Sequence, residues 1–364
     1  MTSNLKERLK LDRVINASGK MTILGGSRLE RGVLDAMNEG ASQFYVMSDL
    51  MEQSNQYLQD LLKVEAAWLI SSASSGIAQS VAAAINQGNY KYVMNPYDET
   101  LVRNKVVIAK GHIVDYGTSI EVPIRMGGAK IVEAGYANGC TVAQMESAID
   151  SETAAIIYVK SHHAVQKSMP KMEDVIALAK KYELPIIIDA AAEGDLNTYA
   201  DMGADAVIYS GTKALEGPTS GVVIGSTTFI SWLKAQGQGI GRVMKIGKEN
   251  IFGLLEAITE YVNQSAVTLE QQEARLKPFN EAINELAVCH AKTVQDGAGR
   301  PILRSQIQFD ESVDMDKLSQ GMKAAPIRIY TRDYRINENI IEIDIRDVSE
   351  EELDIITNQI KENI

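Results

Sequence analysis

The run Tyr209-Ser210-Gly211-Thr212-Lys213-Ala214-Leu215-Glu216-Gly217-Pro218-Thr219-Ser220-Gly221 sets a lysine among small residues, between an apolar stretch at 206–209 and another at 222–224. Short β-branched runs of this kind read as buried strands. Lys213 therefore falls just beyond a strand end, in a turn where backbone crowds its side chain. An ammonium desolvated in such a place has a lowered pKa, which an amine needs in order to attack a carbonyl and form a Schiff base. Taken by itself, the run also fits a surface lysine in a glycine-rich turn.

Outward from this run the same strand pattern recurs at 106–109, 130–133, 155–159 and 185–189. Helical stretches alternate with the strands at 75–87, 142–149, 172–182 and, more weakly, 198–202. Strand–helix alternation with short connections predicts an α/β fold, a mostly parallel sheet with helices on both faces. From 250 to 286 the apolar positions recur at three- and four-residue intervals, which predicts a long connecting helix. Beyond it, 302–309, 327–329 and 340–345 resemble strands, and 350–360 resembles a closing amphipathic helix. The expected organisation is an N-terminal clasp at 1–45, a large domain at 46–259 and a small C-terminal α+β domain at 260–364.

Two further features bear on Lys213. Pro185-Ile186-Ile187-Ile188-Asp189 puts a carboxylate at the carboxyl end of an apolar strand, the edge at which parallel sheets bind ligands. An aspartate and a lysine on neighbouring strand ends suit pyridoxal 5'-phosphate: the carboxylate keeps the pyridine nitrogen protonated and the lysine holds the aldehyde. Ser71-Ser72-Ala73-Ser74-Ser75-Gly76 precedes a helix, and a helix N-terminus favours phosphate. Ser210 supplies a second hydroxyl. By contrast, Gly237-Gln238-Gly239-Ile240-Gly241 lacks the third glycine of the dinucleotide spacing and opens no βαβ unit, so a nicotinamide fingerprint is rejected.

Composition narrows the function classes. The chain has 364 residues, 45% of them hydrophobic and 23% charged, the balance of a folded protein with a sizeable core. Acidic residues outnumber basic ones 48 to 36, a net charge of −12, which disfavours general nucleic-acid binding. The two cysteines, Cys140 and Cys289, and four histidines show no metal-ligand spacing, and no metal is expected. No signal-like or membrane-crossing apolar run stands out. These traits fit a cytoplasmic protein.

In their order along the chain, the serine-rich helix start, Asp189 and Ser210-Gly211-Thr212-Lys213 resemble the aspartate-aminotransferase-like, fold type I, pyridoxal-phosphate enzymes. Val14-Ile15-Asn16-Ala17-Ser18-Gly19, the run from Lys213 to Gly221, and Arg242-Val243-Met244-Lys245-Ile246-Gly247-Lys248-Glu249 are similar, more narrowly, to the bacterial selenocysteine synthase superfamily. Within it the resemblance is to the D-glucosaminate-6-phosphate ammonia-lyase branch, and it spans nearly the whole chain. Selenocysteine synthase has an additional N-terminal domain for its charged tRNA, whereas this sequence reaches Asn16-Ala17-Ser18-Gly19 within its first twenty residues. A small-molecule substrate is therefore expected.

The resemblance implies roles position by position. Lys213 matches the Schiff-base lysine and Asp189 the pyridinium partner, while Ser74, Ser75, Gly76 and Ser210 match the phosphate ligands. His112 falls where the superfamily places a group over the cofactor face, and His162 and His163 follow a strand at the same edge. Either of the latter suits the acid that protonates a leaving hydroxide. Arg242, Lys245 and Lys248 form a basic cluster suited to a substrate phosphate. Arg346, with Arg332 as the alternative, suits a substrate carboxylate. The implied reaction is α,β-elimination on a 2-amino-3-hydroxy sugar acid, D-glucosaminate 6-phosphate, by a homodimer or higher homo-oligomer. The alternatives are a selenocysteine-synthase-like transferase and a catalytically idle cofactor-binding subunit.

Overall fold

The computed structural model describes residues 5–161, 163–265, 267–297 and 299–364. They form two compact units, one from the segments ending at Gly25 and beginning at Ser265, the other from Gly26–Gln264. Residues 1–45, expected as one clasp, thus divide between the units. Strand β1 (Arg13–Ala17) belongs to the smaller unit, and the Arg31–Ser42 helix belongs to the larger.

The larger unit is built on seven strands: β2 (Ala66–Ile70), β3 (Lys105–Ala109), β4 (Lys130–Ala134), β5 (Thr153–Val159), β6 (Ile186–Asp189), β7 (Ala206–Ser210) and β8 (Gly221–Gly225). Their order across the sheet is β2-β8-β7-β6-β5-β3-β4. Neighbours from β7 to β4 are parallel, whereas β8 runs antiparallel to both β7 and β2. The mostly parallel sheet expected from the sequence is present, with one reversed strand. β2 was not among the strands read from the sequence.

Alternation along each strand separates two apolar faces. Val107, Ile156, Ile188 and Val207 pack on one side with Val175 and Leu254, from the helices Met172–Lys181 and Lys248–Asn263. Val106, Ile157, Ile187 and Ile208 pack on the other with Ile77 and Val81, from the helix Ala73–Asn86. That helix is buried from Ser75 to Asn86, which its alanine-rich sequence permits. β5 is buried along its whole length, as a central parallel strand must be.

The smaller unit pairs β1 in parallel with β11 (Ile327–Thr331) and places β10 (Leu303–Phe309) between β9 (Cys289–Gln295) and β12 (Ile340–Ile343), antiparallel to both. The helices Leu269–Asn284, Met315–Ala324 and Glu350–Asn363 cover it with Leu276, Leu318 and Ile356. The long helix expected at 250–286 is two helices. The first ends at Asn263, and Thr268 opens the second with a reciprocal capping box to Gln271.

Among the described residues, no helix is long and apolar enough to cross a membrane.

Candidate active site

The carboxyl ends of β3, β5, β6 and β7 share one edge of the larger sheet, because those strands are parallel. β2 ends at that edge too, since the strand between it and β7 is reversed. The edge therefore brings together the segments carrying Ser74, His112, Asp189, Ser210 and Lys213.

Asp189 is the last residue of β6 and pairs in register with Ile208 of β7. Its side chain is buried, and its Oδ1 accepts the Ala191 N–H at 3.1 Å. Burial raises its pKa, while the positive charge of Lys213 and the Ala191 hydrogen bond pull it down. A carboxylate so placed gains from a further cation beside it.

Lys213 follows β7 in a tight loop between antiparallel neighbours. Gly211 N–H donates to Ser220 O at 2.9 Å, and Gly217 N–H donates to Gly211 O at 2.7 Å. Gly211 is glycine for a packing reason, since a Cβ there would lie 2.2 Å from Ser220 Oγ. Ser210 is buried at the strand end, with its Oγ 3.2 Å from Thr212 Oγ1. From the other end of the unit, Ser27 Oγ donates to Thr212 O at 2.8 Å.

The serine-rich helix start divides its labour. Ser72 is the N-cap, accepting the Ser75 N–H at 3.1 Å. Ser75 Oγ accepts the Ser72 N–H at 3.0 Å and donates to Ser72 O at 2.8 Å, so that hydroxyl is turned back into the cap. Gly76 N–H closes on Ser72 O at 3.0 Å, and a Cβ on Gly76 would lie 2.3 Å from Ile70 Cδ1. Ser75 and Gly76, expected as phosphate ligands, thus build the helix start and its seat on the sheet. Outside the cap stand the Ser74 hydroxyl, whose Oγ lies 3.1 Å from Tyr116 Oη, and the first amides of the helix, which have no intrahelical acceptor.

His112 is 1% exposed. Its Nδ1 accepts the Val159 N–H at 3.3 Å, and its ring meets Tyr158 edge-on at 4.5 Å between centroids. Burial drives its pKa to about 4, against a small opposing effect of the Val165 backbone. The imidazole is neutral at physiological pH, and through Nδ1 it braces the ends of β3 and β5. His163 is exposed, its N–H donating to Ser161 Oγ at 3.3 Å, and His162 lies outside the described residues.

The basic cluster does not act as one group. Arg242 and Lys245 are exposed, but Lys248 Nζ donates to Gly40 O at 2.6 Å and Ala41 O at 2.7 Å. It serves the carbonyl end of the Arg31–Ser42 helix, where a cation is favoured. Arg346 belongs to the smaller unit, and its fork is engaged by Asp344, Nε to Oδ1 at 2.9 Å and Nη2 to Oδ2 at 2.8 Å. Arg332 donates to Glu342 and to Ser18 O, both at 3.3 Å.

Tyr116, Ser27 and Thr212 were not singled out from the sequence. Thr212 stands inside the quoted lysine run, but the partners that give Ser27 and Tyr116 meaning lie far away in the chain.

The residues present fit pyridoxal phosphate: a buried carboxylate at one strand end, a lysine beyond the neighbouring strand end whose charge acts on it, and a helix N-terminus with one hydroxyl outside its cap. Among the described residues, no group of three or more His, Cys, Asp or Glu is arranged for a metal.

Comparison with known proteins agrees with this geometry. A D-glucosaminate-6-phosphate ammonia lyase of Salmonella typhimurium is 42% identical, across 100% of this chain and 98% of its own. A solved D-glucosaminate-6-phosphate ammonia-lyase superposes with a TM-score of 0.91 at 41% identity, covering 100% of this chain and 98% of that one. A 5'-C-glycyluridine monooxygenase-decarboxylase of a Streptomyces species is 33% identical, across 96% of this chain and 89% of its own. An alanine–glyoxylate aminotransferase from Nostoc, 13% identical with a TM-score of 0.59 over 100% of this chain and 99% of that one, shares the fold alone. The architecture is that of the aspartate-aminotransferase-like, fold type I, enzymes, as expected. Residues 14–349 match the family described as SelA, L-seryl-tRNA selenium transferase, and to that family this chain belongs.

Proposed function

We propose that this protein is a pyridoxal-phosphate-dependent ammonia-lyase that converts D-glucosaminate 6-phosphate to 2-keto-3-deoxygluconate 6-phosphate and ammonia. The observation that carries the reading is the buried Asp189 in the field of Lys213 on the adjoining strand end. The full-length likeness to an ammonia-lyase supports the choice of substrate.

Bound pyridoxal phosphate supplies an electron sink for the negative charge that develops at C2 of the substrate. Asp189 would be the carboxylate that pairs with the ring nitrogen, an interaction that burial strengthens. Lys213 would hold the aldehyde through Nζ, and the same Nζ as a neutral amine is the base suited to take the C2 proton. A proton donated by His163 allows the C3 hydroxyl to leave as water. One water is lost in the elimination and one is consumed when the nitrogen leaves as ammonia, so substrate and products differ by NH3 alone. Arg242 and Lys245, both exposed, suit the substrate phosphate. Arg346, with Arg332 as the alternative, suits the substrate carboxylate as a bidentate guanidinium.

The reading extends to a cytoplasmic homo-oligomer. Both cysteines are free thiols, and Phe44, Val46 and Met47 leave apolar side chains exposed, as a face covered by a second copy would.

The test is an absorbance spectrum before and after borohydride, followed by an ammonia and keto-acid assay with D-glucosaminate 6-phosphate. A band near the visible edge that borohydride removes, together with ammonia release, supports cofactor and reaction. A band without ammonia overturns the substrate, and no band after adding pyridoxal phosphate overturns the whole reading. The family description favours one other reaction, selenium transfer on tRNA, which requires tight, salt-sensitive tRNA binding in a gel shift.

A further inference from the structure

After β3 the chain makes one turn of 3-10 helix, Lys110–His112, and then a loop that closes on itself. Tyr116 N–H donates to Thr118 O at 3.1 Å, Gly117 N–H to Asp115 Oδ1 at 2.8 Å, and Ile120 N–H to Val114 O at 2.9 Å. Gly117 takes φ +105° there, a conformation that side chains resist. The backbone of Tyr116 is thus fixed by its own loop. Its ring packs on the apolar cluster that contains Ile77 and Ile120, which leaves the hydroxyl as the group with a choice of partner.

That hydroxyl lies 3.1 Å from Ser74 Oγ, at the serine of the helix start whose hydroxyl takes no part in the cap. Burial raises the Tyr116 pKa, the Ser74 hydrogen bond lowers it, and the negative charge of Asp189 raises it again. Tyr116 is therefore a neutral hydrogen-bond donor at physiological pH. A serine hydroxyl has a single proton. If it spends that proton on tyrosine, it offers only lone pairs to an arriving phosphate; if it accepts from tyrosine, its proton is available to the phosphate and is strengthened by the bond behind it.

We propose that Tyr116 is a positioning residue for the cofactor phosphate: its hydroxyl donates to Ser74 Oγ and so orients the Ser74 proton toward that phosphate. The proposal rests on the cofactor reading above. It adds a residue that makes no demand on the lysine or on the substrate, and it acts through Ser74 alone.

The experiment titrates cofactor-free protein with pyridoxal phosphate and, separately, with pyridoxal, which lacks the phosphate, following the absorbance band in each case. Tyr116→Phe keeps the ring that packs on the core and removes only the hydroxyl. Tyr116→Phe and Ser74→Ala are each expected to raise the dissociation constant for pyridoxal phosphate roughly fivefold, the worth of one hydrogen bond. The double variant is expected to lose no more than the weaker-binding single variant, because the two groups act as one unit. Affinity for pyridoxal should be unchanged in all three. Additive losses, an equal loss for pyridoxal, or no loss in Tyr116→Phe overturns the proposal. A wild-type protein that takes up neither compound overturns the cofactor reading itself, and this inference with it.

Discussion

Ser27 donates its hydroxyl proton to the carbonyl of Thr212, 2.8 Å away, so the peptide just before Lys213 is held by a residue from the opening of the larger unit. The preceding Gly26 has φ +83°, and a Cβ on it would lie 2.8 Å from Thr212 Cβ. Ser27→Ala is expected to weaken pyridoxal-phosphate capture roughly fivefold with little change in melting temperature, since one hydrogen bond is lost. Gly26→Ala should do more, because it strains its own backbone and displaces Thr212. Absorbance titration beside a thermal melt measures both, and unaltered capture in both variants would refute the role of this clamp.

Asp189 and Lys213 should fail in different ways. Lys213→Ala is expected to remove the borohydride-sensitive band, because it removes the amine that the proposed reaction uses. Asp189→Asn should keep the band while ammonia release falls by roughly 10²–10³, the usual effect of removing one preorganised electrostatic group. A fully active Asp189→Asn enzyme would show that the ring nitrogen needs no negative partner.

His112 gives the apoprotein a pH-dependent stability with a definite sign. Its folded pKa of about 4 lies below the ordinary 6.5, so the unfolded chain binds the proton more readily. Stability is greatest above the unfolded value and falls as pH drops from 6.5 toward 4, by roughly 2 kcal/mol at pH 5. Urea unfolding of wild type and His112→Gln at pH 7 and pH 5 measures the effect. The variant should lose less on acidification, and parallel losses in the two proteins would argue against it.

Asp344 controls a separate, more acidic window. It is buried in the smaller unit, where it accepts Arg304 Nε at 3.1 Å and the fork of Arg346. Burial pushes its pKa up, yet the hydrogen bond and charge of Arg346, with the charge of Arg304, outweigh this and hold it well below 3.8. Its contribution is therefore present above the unfolded value and is lost as pH falls through the lower folded one. Asp344→Asn removes the carboxylate that Arg346 engages and one of the two that hold the buried Arg304, the other being Asp296 at 2.6 Å, so it should cost about 3 kcal/mol in equilibrium unfolding. A loss below 1 kcal/mol would mean that the guanidiniums find other partners.

The central strands were legible because Val106–Ala109 of β3, Ile156–Val159 of β5 and Ile186–Ile188 of β6 are rich in β-branched residues and buried on both faces. β2, Ala66-Ala67-Trp68-Leu69-Ile70, carries few β-branched residues and left no such mark. The direction of β8 was not readable either, since Gly221-Val222-Val223-Ile224-Gly225 has the same apolar pattern whichever way it runs. Asp189 and Lys213 stood out because strand ends are visible in sequence. Tyr116 did not, because its hydroxyl acquires meaning only from Ser74, 42 positions earlier. Lys248 shows the same limit: a charge is visible in sequence, but the carbonyls of Gly40 and Ala41 that it meets are not.

The parallel pairing of β1 with β11 ties Arg13 to Ile327 and Ala17 to Thr331, and the Asp344 N–H donates to Ala17 O at 2.9 Å. During synthesis on the ribosome, the larger unit from Gly26 to Gln264 is complete while the partners of β1 have yet to be made. Strand β1 must therefore wait, with Ile15 and Ala17 uncovered, until β11 and Asp344 have emerged. Because Gly26 directly follows that waiting segment, the lysine loop can be seated through Ser27 before the smaller unit exists, which makes the order of assembly a property of the sequence itself.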